Sequence, residues 1–160
     1  EKKANNINLV TPTHYVPQIS KVLKKIKNKT LNIPIVYNTS SYENIGTLMM
    51  MNKLVDIYLA DLKYFDDELA LKYSLCTNYF ETATMALDEM YRQVGCIELS
   101  DDGLLKKGLI VRVLILPGHI EDAKNIIKYL YKTFGDNIII SIMNQYTPVN
   151  KCKYDNGDSR

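Results

Sequence analysis

The sequence predicts an α/β fold, a partial (β/α) barrel of about five parallel strands with outer helices. Three observations support this fold class. Five short, nearly continuous apolar runs are typical of strands buried in a parallel sheet. Segments with helical periodicity separate the runs, and polar residues follow each run, where barrels carry their sites. The runs cover residues 7–10, 33–37, 55–62, 109–116 and 138–143.

The first two connections each predict one helix. Between the first two runs, four apolar residues fall at the i, i+3, i+4 and i+7 spacing of an amphipathic helix with a lysine-rich outer side. They are Ile19, Val22, Leu23 and Ile26. Residues 42–54 form the second connection and carry a shorter apolar stripe at Ile45, Leu48 and Met49.

The third connection is longer and predicts a helix over residues 79–94 that ends at Gly95, a favourable residue after a helix. The Ser-Asp-Asp-Gly sequence at 100–103 then predicts a turn between two short ribbon strands. The fourth connection begins with Glu121 and Asp122, as helix first turns favour, and ends at Gly135. Its predicted inward residues are Ala123, Ile126, Ile127, Leu130 and Tyr131.

Right-handed crossovers make this order a parallel sheet, either open and doubly wound or an arc of a barrel. Five strands cannot close an eight-stranded barrel, and the polar residues at the strand ends favour the arc. We expect residues 1–150 to form this domain and residues 151–160 to be a loop or disordered tail.

Composition excludes several functions. The 160 residues carry 20 Lys and Arg against 18 Asp and Glu, too weak a basic excess to predict binding to nucleic acid or a membrane. Cys76, Cys96 and Cys152 are scattered, so they predict no local metal motif and favour a reducing, cytoplasmic location. The chain begins at Glu1 without Met, and we expect it to be a piece of a longer protein.

Polar residues after the strands are the candidate site. Ser40 and Ser41 could bind a ligand or simply cap the following helix. His14 and His119 could act as acids, bases or metal ligands, or lie on the surface at helix starts. None of these residues forms a phosphate loop or a nucleophile motif.

Asp61, Lys63 and Arg112 are more informative. Asp61 and Lys63 are two residues apart, so on a strand they would share one face, as a salt bridge or as a site for a zwitterionic ligand. Arg112 interrupts an apolar strand, where an unpaired guanidinium would be costly. It must face water, an acidic partner such as Asp61, or an anionic ligand such as a carboxylate.

Several segments together resemble the radical S-adenosylmethionine superfamily, and within it the subfamily similar to pyruvate formate-lyase activating enzyme. The resemblance runs from about residue 6 to residue 149, in order along the chain. The matching segments are NLVTPTH at 8–14, PIVYNTS at 34–40, VDIYLADLKY at 55–64, EMYRQVG at 89–95, GLIVRVLILPGH at 108–119 and QYTP at 145–148.

The resemblance implies a six-stranded partial barrel, of which this chain supplies strands two to six. It also implies a CxxxCxxC loop upstream of Glu1, whose thiolates hold a 4Fe–4S cluster that chelates S-adenosylmethionine. The residues that match positions near this cofactor are Thr13, Asn38, Ser40, Asp61, Lys63, Arg112 and Gln145. Thr13 lies in a loop that departs from the family's GGE-like motif, and Gln145 stands near a position that is often His.

The implied reaction in the complete protein is reductive cleavage of S-adenosylmethionine to a 5′-deoxyadenosyl radical that abstracts hydrogen. The implied partners are an electron donor such as flavodoxin or ferredoxin and, as target, a glycyl-radical enzyme or another protein. We expect the present chain alone to be inactive. Two alternatives remain open: a Schiff-base aldolase that uses Lys63, and a non-catalytic interaction domain.

Overall fold

The computed structural model describes residues 4–27 and 29–144 and shows a sheet of six strands, five of them parallel. The parallel strands lie in the order β1-β2-β3-β5-β6, and β4 pairs antiparallel with the first half of β5. The strands are β1 (Ile7–Val10), β2 (Ile35–Thr39), β3 (Ile57–Asp61), β4 (Glu98–Leu99), β5 (Leu105–Leu114) and β6 (Ile139–Met143).

Helices fill the connections between the parallel strands, as the alternating pattern predicts. They are α1 (Val16–Ile26), α2 (Ile45–Met49), α3 (Asp67–Ser74), α4 (Tyr79–Val94) and α5 (Ile120–Phe134). Within the described part of the chain, no helix has the length and apolar character needed to cross a bilayer.

The helices and one face of the sheet form a single hydrophobic core. Alternate residues of the central strands, among them Tyr37, Tyr58 and Val111, are fully buried in this core. The helices contribute their apolar sides, including Leu23 from α1, Met90 from α4 and Leu130 from α5. Because the side chains of a strand alternate between two faces, the residues between these positions project to the other side of the sheet.

That second face is concave. Its side chains from β1, β2, β3 and β5 line a common cavity of about 480 Å³ together with residues of the turn between β4 and β5. Val36 and Ile57 on this face are buried, but they do not belong to the core under the helices. Helices packed on one face around a concave sheet make the fold a partial (β/α) barrel, and not a doubly wound sheet with helices on both sides.

Several predicted details differ from the structure. The predicted burial of Val22 in α1 is wrong, because the residue is 53% exposed. The predicted inward position of Tyr131 in α5 is also wrong, because that residue is 63% exposed. In the second connection Met49 is exposed and Met51 is fully buried instead. Helix α3 is not predicted from the sequence. Its first turn is capped by the Asp66 carboxylate, which accepts from the backbone N–H of Glu68 at 2.8 Å.

An ion pair and hydrogen bonds of Asp56 and Lys27 hold the amino ends of β2 and β3 together. Asp56, just before β3, forms an ion pair of 2.7 Å with Lys27 and accepts a hydrogen bond of 2.8 Å from the backbone N–H of Ile35. The Lys27 ammonium also donates to the carbonyl of Leu54 at 2.8 Å. One carboxylate therefore joins the end of α1 to the starts of β2 and β3.

Gly108 allows β5 to continue from the antiparallel ribbon into the parallel sheet. Its φ of +139° lies where side chains are rarely tolerated, and a Cβ there would meet the Cα of Ile97 at 3.2 Å. Gly108 is also the residue that pairs with Ile57 at the start of β3. A side chain at this position would therefore require the backbone of Ile97 to shift by a few tenths of an ångström.

We expect Gly108→Ala to lower the free energy of unfolding by about 1–3 kcal/mol, because it adds both backbone strain and a contact with Ile97. Urea denaturation would measure the loss. Gly103→Ala is the control, since Gly103 also has positive φ, but a Cβ added there would meet no atom within 4 Å. A loss at Gly108 no larger than at Gly103 would show that the close approach is unimportant.

Candidate functional site

Three polar side chains meet on the concave face near the carboxyl ends of β2, β3 and β5. Asp61 and Arg112 are register partners on neighbouring parallel strands, so their side chains stand side by side. Asn38 lies one strand further away, and the long guanidinium crosses β3 to reach it. The topology therefore brings together three residues that are up to 74 positions apart in the sequence.

These residues form a connected polar network. The Nε of Arg112 donates to Asp61 Oδ1 at 2.6 Å, and its Nη2 donates to Asn38 Oδ1 at 2.9 Å. The side chains of Arg112 and Asp61 remain 26% and 21% exposed, so the pair is reached by solvent from the concave side. Arg112 thus faces an acidic partner, one of the three alternatives that the sequence leaves open, and it also donates to an amide oxygen.

The network keeps unused hydrogen-bonding capacity. Arg112 Nη1, the second oxygen of Asp61 and the amide nitrogen of Asn38 have no hydrogen-bond partner within the described residues. A guanidinium offers donors in a planar fork, and a carboxylate offers further acceptor sites. The network can thus receive both an anionic and a cationic group of one ligand, as a zwitterionic amino acid presents them.

Lys63 differs from its prediction. Strand β3 ends at Asp61, so Lys63 lies beyond the strand, and within the described residues its ammonium forms no ion pair with Asp61 or another acid. Of the two alternatives that the sequence leaves open for Asp61 and Lys63, the salt bridge is absent among the described residues, and Asp61 pairs with Arg112 instead. The backbone of Lys63 is nevertheless held close to the site by Tyr79.

The hydroxyl of Tyr79 connects the loops that follow β2 and β3. It donates to the carbonyls of Ser40 at 3.1 Å and Asp61 at 3.2 Å, and it accepts from the backbone N–H of Lys63 at 3.0 Å. The ring is only 2% exposed, and burial raises the pKa of the Tyr79 phenol, so the group stays protonated and able to donate. Helix α4 thereby fixes three candidate site residues through one side chain.

The carboxylate of Glu43 connects the loops that follow β1 and β2. Its Oε1 accepts hydrogen bonds from Thr13 Oγ1 at 2.7 Å and from Thr39 Oγ1 at 2.6 Å. Thr13, a predicted site residue, is therefore oriented by Glu43 and not by the Arg112 network. Glu43 itself is 5% exposed and was not singled out by the sequence.

The remaining candidates lie apart from the network. Ser40 contributes its carbonyl to Tyr79, and the helix after it is capped by Asn44, so the capping prediction for Ser40 and Ser41 is wrong. His14 lies exposed in a short 3₁₀ turn. His119 precedes α5, where its Nε2 lies 3.1 Å from the hydroxyl of Tyr73. Gln145 falls outside the described residues.

Tyr79 and Glu43 are functional neighbours that the sequence does not predict. Tyr79 fits the start of an amphipathic helix, and nothing local distinguishes its hydroxyl from that of any other helical tyrosine. Glu43 sits in a polar loop and has the appearance of a solvated residue. Only the packing of α4 and of the two loops against the sheet places these groups at the site.

An iron–sulfur cluster does not fit the described part of the chain. Among those residues, no group of three or more His, Cys, Asp or Glu side chains could hold a metal ion. Cys96 is exposed, and its thiol lies near Asn137 and the hydroxyl of Tyr91. Cys76 is half-buried at the end of α3, and Cys152 lies outside the described residues.

Comparisons with known proteins do not establish a family for this chain. No family model matches the chain. An uncharacterized protein of Methanocaldococcus jannaschii is 28% identical over 155 residues, which is 94% of this chain and 40% of that protein. The chain thus spans well under half the length of the curated relative that it matches.

Among solved structures, the chain is similar to a domain of a pyruvate-formate lyase-activating enzyme from Bacteroides vulgatus. The comparison has a TM-score of 0.48 and 13% sequence identity, and the match covers 87% of this chain and 98% of that domain. At that level the likeness establishes neither the family nor the activity of this chain.

We expect Tyr79→Phe to destabilise the protein by about 1–3 kcal/mol, because it leaves the Lys63 N–H and two carbonyls without their buried partner. Thermal or urea unfolding measures this loss. Tyr42→Phe is the control. The Tyr42 ring stacks on Tyr79, but the residue is 44% exposed, and within the described residues its hydroxyl donates to the carbonyl of Thr77 alone. Equal losses in the two variants would contradict the role given to the Tyr79 hydroxyl.

Proposed function

We propose that this chain forms most of the S-adenosylmethionine-binding barrel of a radical enzyme similar to glycyl-radical activating enzymes. The observation that carries the proposal is the Asn38–Arg112–Asp61 network on the concave face, at the carboxyl ends of three neighbouring strands. The sequence resemblance supplies the class of enzyme, and the network supplies a place where the methionine part of the cofactor fits.

The residues of the network would bind the cofactor through its charged groups. Arg112 would donate its free Nη1 hydrogens to the carboxylate, and the second oxygen of Asp61 would accept from the ammonium group or a ribose hydroxyl. Asn38 would donate its amide hydrogens while its oxygen holds Arg112 in place. S-adenosylmethionine, once bound, supplies a sulfonium that can be cleaved reductively to give a hydrogen-abstracting group.

Asp61 and Arg112 also balance each other's charge. A lone guanidinium on this half-buried face would repel the sulfonium and the ammonium of the ligand, and a lone carboxylate would repel its carboxylate. Paired at 2.6 Å, the two side chains present both signs without a net charge. This pairing suits a ligand that carries both signs itself.

The cluster that the resemblance implies has no ligands in the described part of this chain, so we assign it no step here. We propose that its cysteines are encoded upstream, and that flavodoxin or ferredoxin reduces the complete protein. The proposed target is a glycyl-radical enzyme or another protein. We propose that the present chain alone binds S-adenosylmethionine weakly and does not cleave it.

The first test is to read the gene upstream of Glu1. We expect a CxxxCxxC motif within a few tens of codons, because the resemblance places strand one and its loop there. A reading frame that starts at or near Glu1, without such a motif, would contradict the proposed enzyme.

The second test uses the complete, reconstituted protein under anaerobic reduction. We expect Arg112→Ala to raise the KM for S-adenosylmethionine by about tenfold or more, since a lost charged hydrogen bond costs about 1.5–3 kcal/mol. Cleavage is measured as formation of 5′-deoxyadenosine. Arg92→Ala is the control, because the Arg92 side chain is 56% exposed on α4 and, among the residues that the structure describes, it pairs with Glu89 on its own helix. Equal KM values for the Arg112 variant and the unaltered protein would remove Arg112 from the site.

The aldolase alternative is favoured by one observation. Lys63 lies just beyond the carboxyl end of β3, and within the described residues its ammonium forms no ion pair. A lysine at the end of a barrel strand can capture a carbonyl group as a Schiff base. Borohydride reduction in the presence of pyruvate would trap a covalent adduct on Lys63, with Lys72→Ala as a control and Lys63→Ala expected to abolish trapping. An adduct on Lys63 would replace the radical proposal, and its absence would remove the aldolase.

A further inference from the structure

We propose that Glu43 is a positioning residue that holds the loops after β1 and β2 in the arrangement that binds the ligand. It would act through hydroxyl groups and would not touch the ligand itself. The effect of Glu43 on the binding of S-adenosylmethionine rests on the proposed function, but its hydrogen bonds to the two loops do not.

Three hydroxyl groups converge on one oxygen of Glu43. Thr13 donates at 2.7 Å, Thr39 at 2.6 Å and Tyr37 at 3.3 Å, all to Oε1. Glu43 is 5% exposed, and no Lys, Arg or His of the described residues forms an ion pair with it. A buried carboxylate normally needs such a cation, so here the hydroxyl donors alone offset the cost of its burial.

Glu43 contacts β2 from the helix side of the sheet, opposite the concave face that carries Asn38. Tyr37 and Thr39 project toward the helices, and Asn38 between them projects to the concave face. The two hydroxyl contacts therefore fix the backbone on both sides of Asn38. Because the oxygen of Asn38 holds Arg112, a change at Glu43 reaches the network without any direct contact.

The same carboxylate stabilises an unusual turn. Ser41 has a φ of +65°, which is uncommon for a residue other than glycine. Its N–H donates to Thr39 Oγ1 at 3.2 Å, and its carbonyl accepts from the N–H of Glu43 at 2.9 Å. Thr39 is thus held by Glu43 on one side and supports the strained residue on the other. This turn determines where Ser40 is presented.

The loop after β1 is held at two points. The N–H of Thr11 donates to the carbonyl of Asn38 at 2.8 Å, which continues the pairing of β1 with β2. Thr13 then reaches Glu43 through its hydroxyl. The carboxylate therefore joins the start of the 3₁₀ turn after β1 to the end of β2 and the loop that follows it.

The hydrogen-bonding capacity of the buried groups around Glu43 is only partly used. The second oxygen of Glu43 and the hydroxyl of Ser41 are buried and have no hydrogen-bond partner within the described residues. Burial, and then the charge of Glu43, raise the pKa of the Tyr37 phenol, so that hydroxyl remains a donor. The hydroxyl contacts of Glu43 are therefore all made by one oxygen, which joins the segments on either side of the site.

The test compares Glu43→Met, Glu43→Gln and Asp56→Asn in the complete protein. Hydrogen exchange is measured without ligand, and the KM for S-adenosylmethionine is measured under reduction. Met has a similar size but accepts no strong hydrogen bond, whereas Gln keeps an acceptor oxygen. Asp56→Asn is the matched control, because Asp56 also joins distant segments but lies at the amino ends of the strands.

We expect Glu43→Met to speed exchange at residues 11–15 and 38–44 and to raise the KM by about tenfold. Glu43→Gln should restore most of both properties. Asp56→Asn should lower thermal stability without changing the KM or exchange in the two loops. If Glu43→Met does not fold, Thr13→Val provides the test, with faster exchange expected at residues 11–15 only.

Unchanged exchange in the two loops of Glu43→Met, or faster exchange spread over the whole chain, would overturn the positioning role. So would unchanged exchange in Thr13→Val, where that variant is needed. Faster exchange in the loops with an unchanged KM would overturn the link to the ligand. If the unaltered complete protein neither binds nor cleaves S-adenosylmethionine, the proposed function fails, and the exchange results still decide whether Glu43 holds the loops.

Discussion

The fold depends on the burial of one face of the β-sheet under the helices, which form a single hydrophobic core with it. Large side chains such as Tyr37, Tyr58 and Leu109 alternate onto that face and fill the core. No helix of residues 4–27 and 29–144 packs on the other face, which can curve and carry polar residues. Because only that face is reached by solvent, a side chain such as Arg112 can sit within an apolar strand without an unpaired buried charge.

The candidate site is supported from the opposite side of the sheet. Asn38, Asp61 and Arg112 face the concave side, while the groups that fix their backbones come from the helix side and the loops. Tyr79 holds the ends of β2 and β3, and Glu43 holds the ends of β1 and β2. The site is thus built in two layers, one that presents charge and one that determines its position. Substitutions in the second layer would act on the first without contacting any ligand.

The sequence predicts local features well because they depend on local periodicity. The bounds of β1 and α4 agree with the structure to the residue, and all five parallel strands are present. Periodicity fails where the surroundings decide burial: Val22 and Tyr131 fit apolar stripes but lie beyond the edges of the core. The acidic partner of Arg112 is one of the alternatives that the sequence allows, because a guanidinium in an apolar strand must face water, an acid or an anionic ligand. Tyr79 is not predicted, because its hydroxyl joins segments 16 to 39 residues away. Glu43 is not predicted either, because the contact with Thr13 that connects the two loops spans 30 residues.

The length of β5 also bears on how the chain can fold. Its ten residues pair first with β4, which is close in sequence, and then with β3, where Asp61 and Arg112 are 51 residues apart. A ribbon between close segments closes with little loss of chain entropy, whereas a parallel pair over a long connection is slow to form. The turn at residues 100–103 can therefore form early and present an extended β5 to the rest of the sheet. Gly108 then separates the part of β5 that pairs early with the nearby β4 from the part that pairs later with the distant β3.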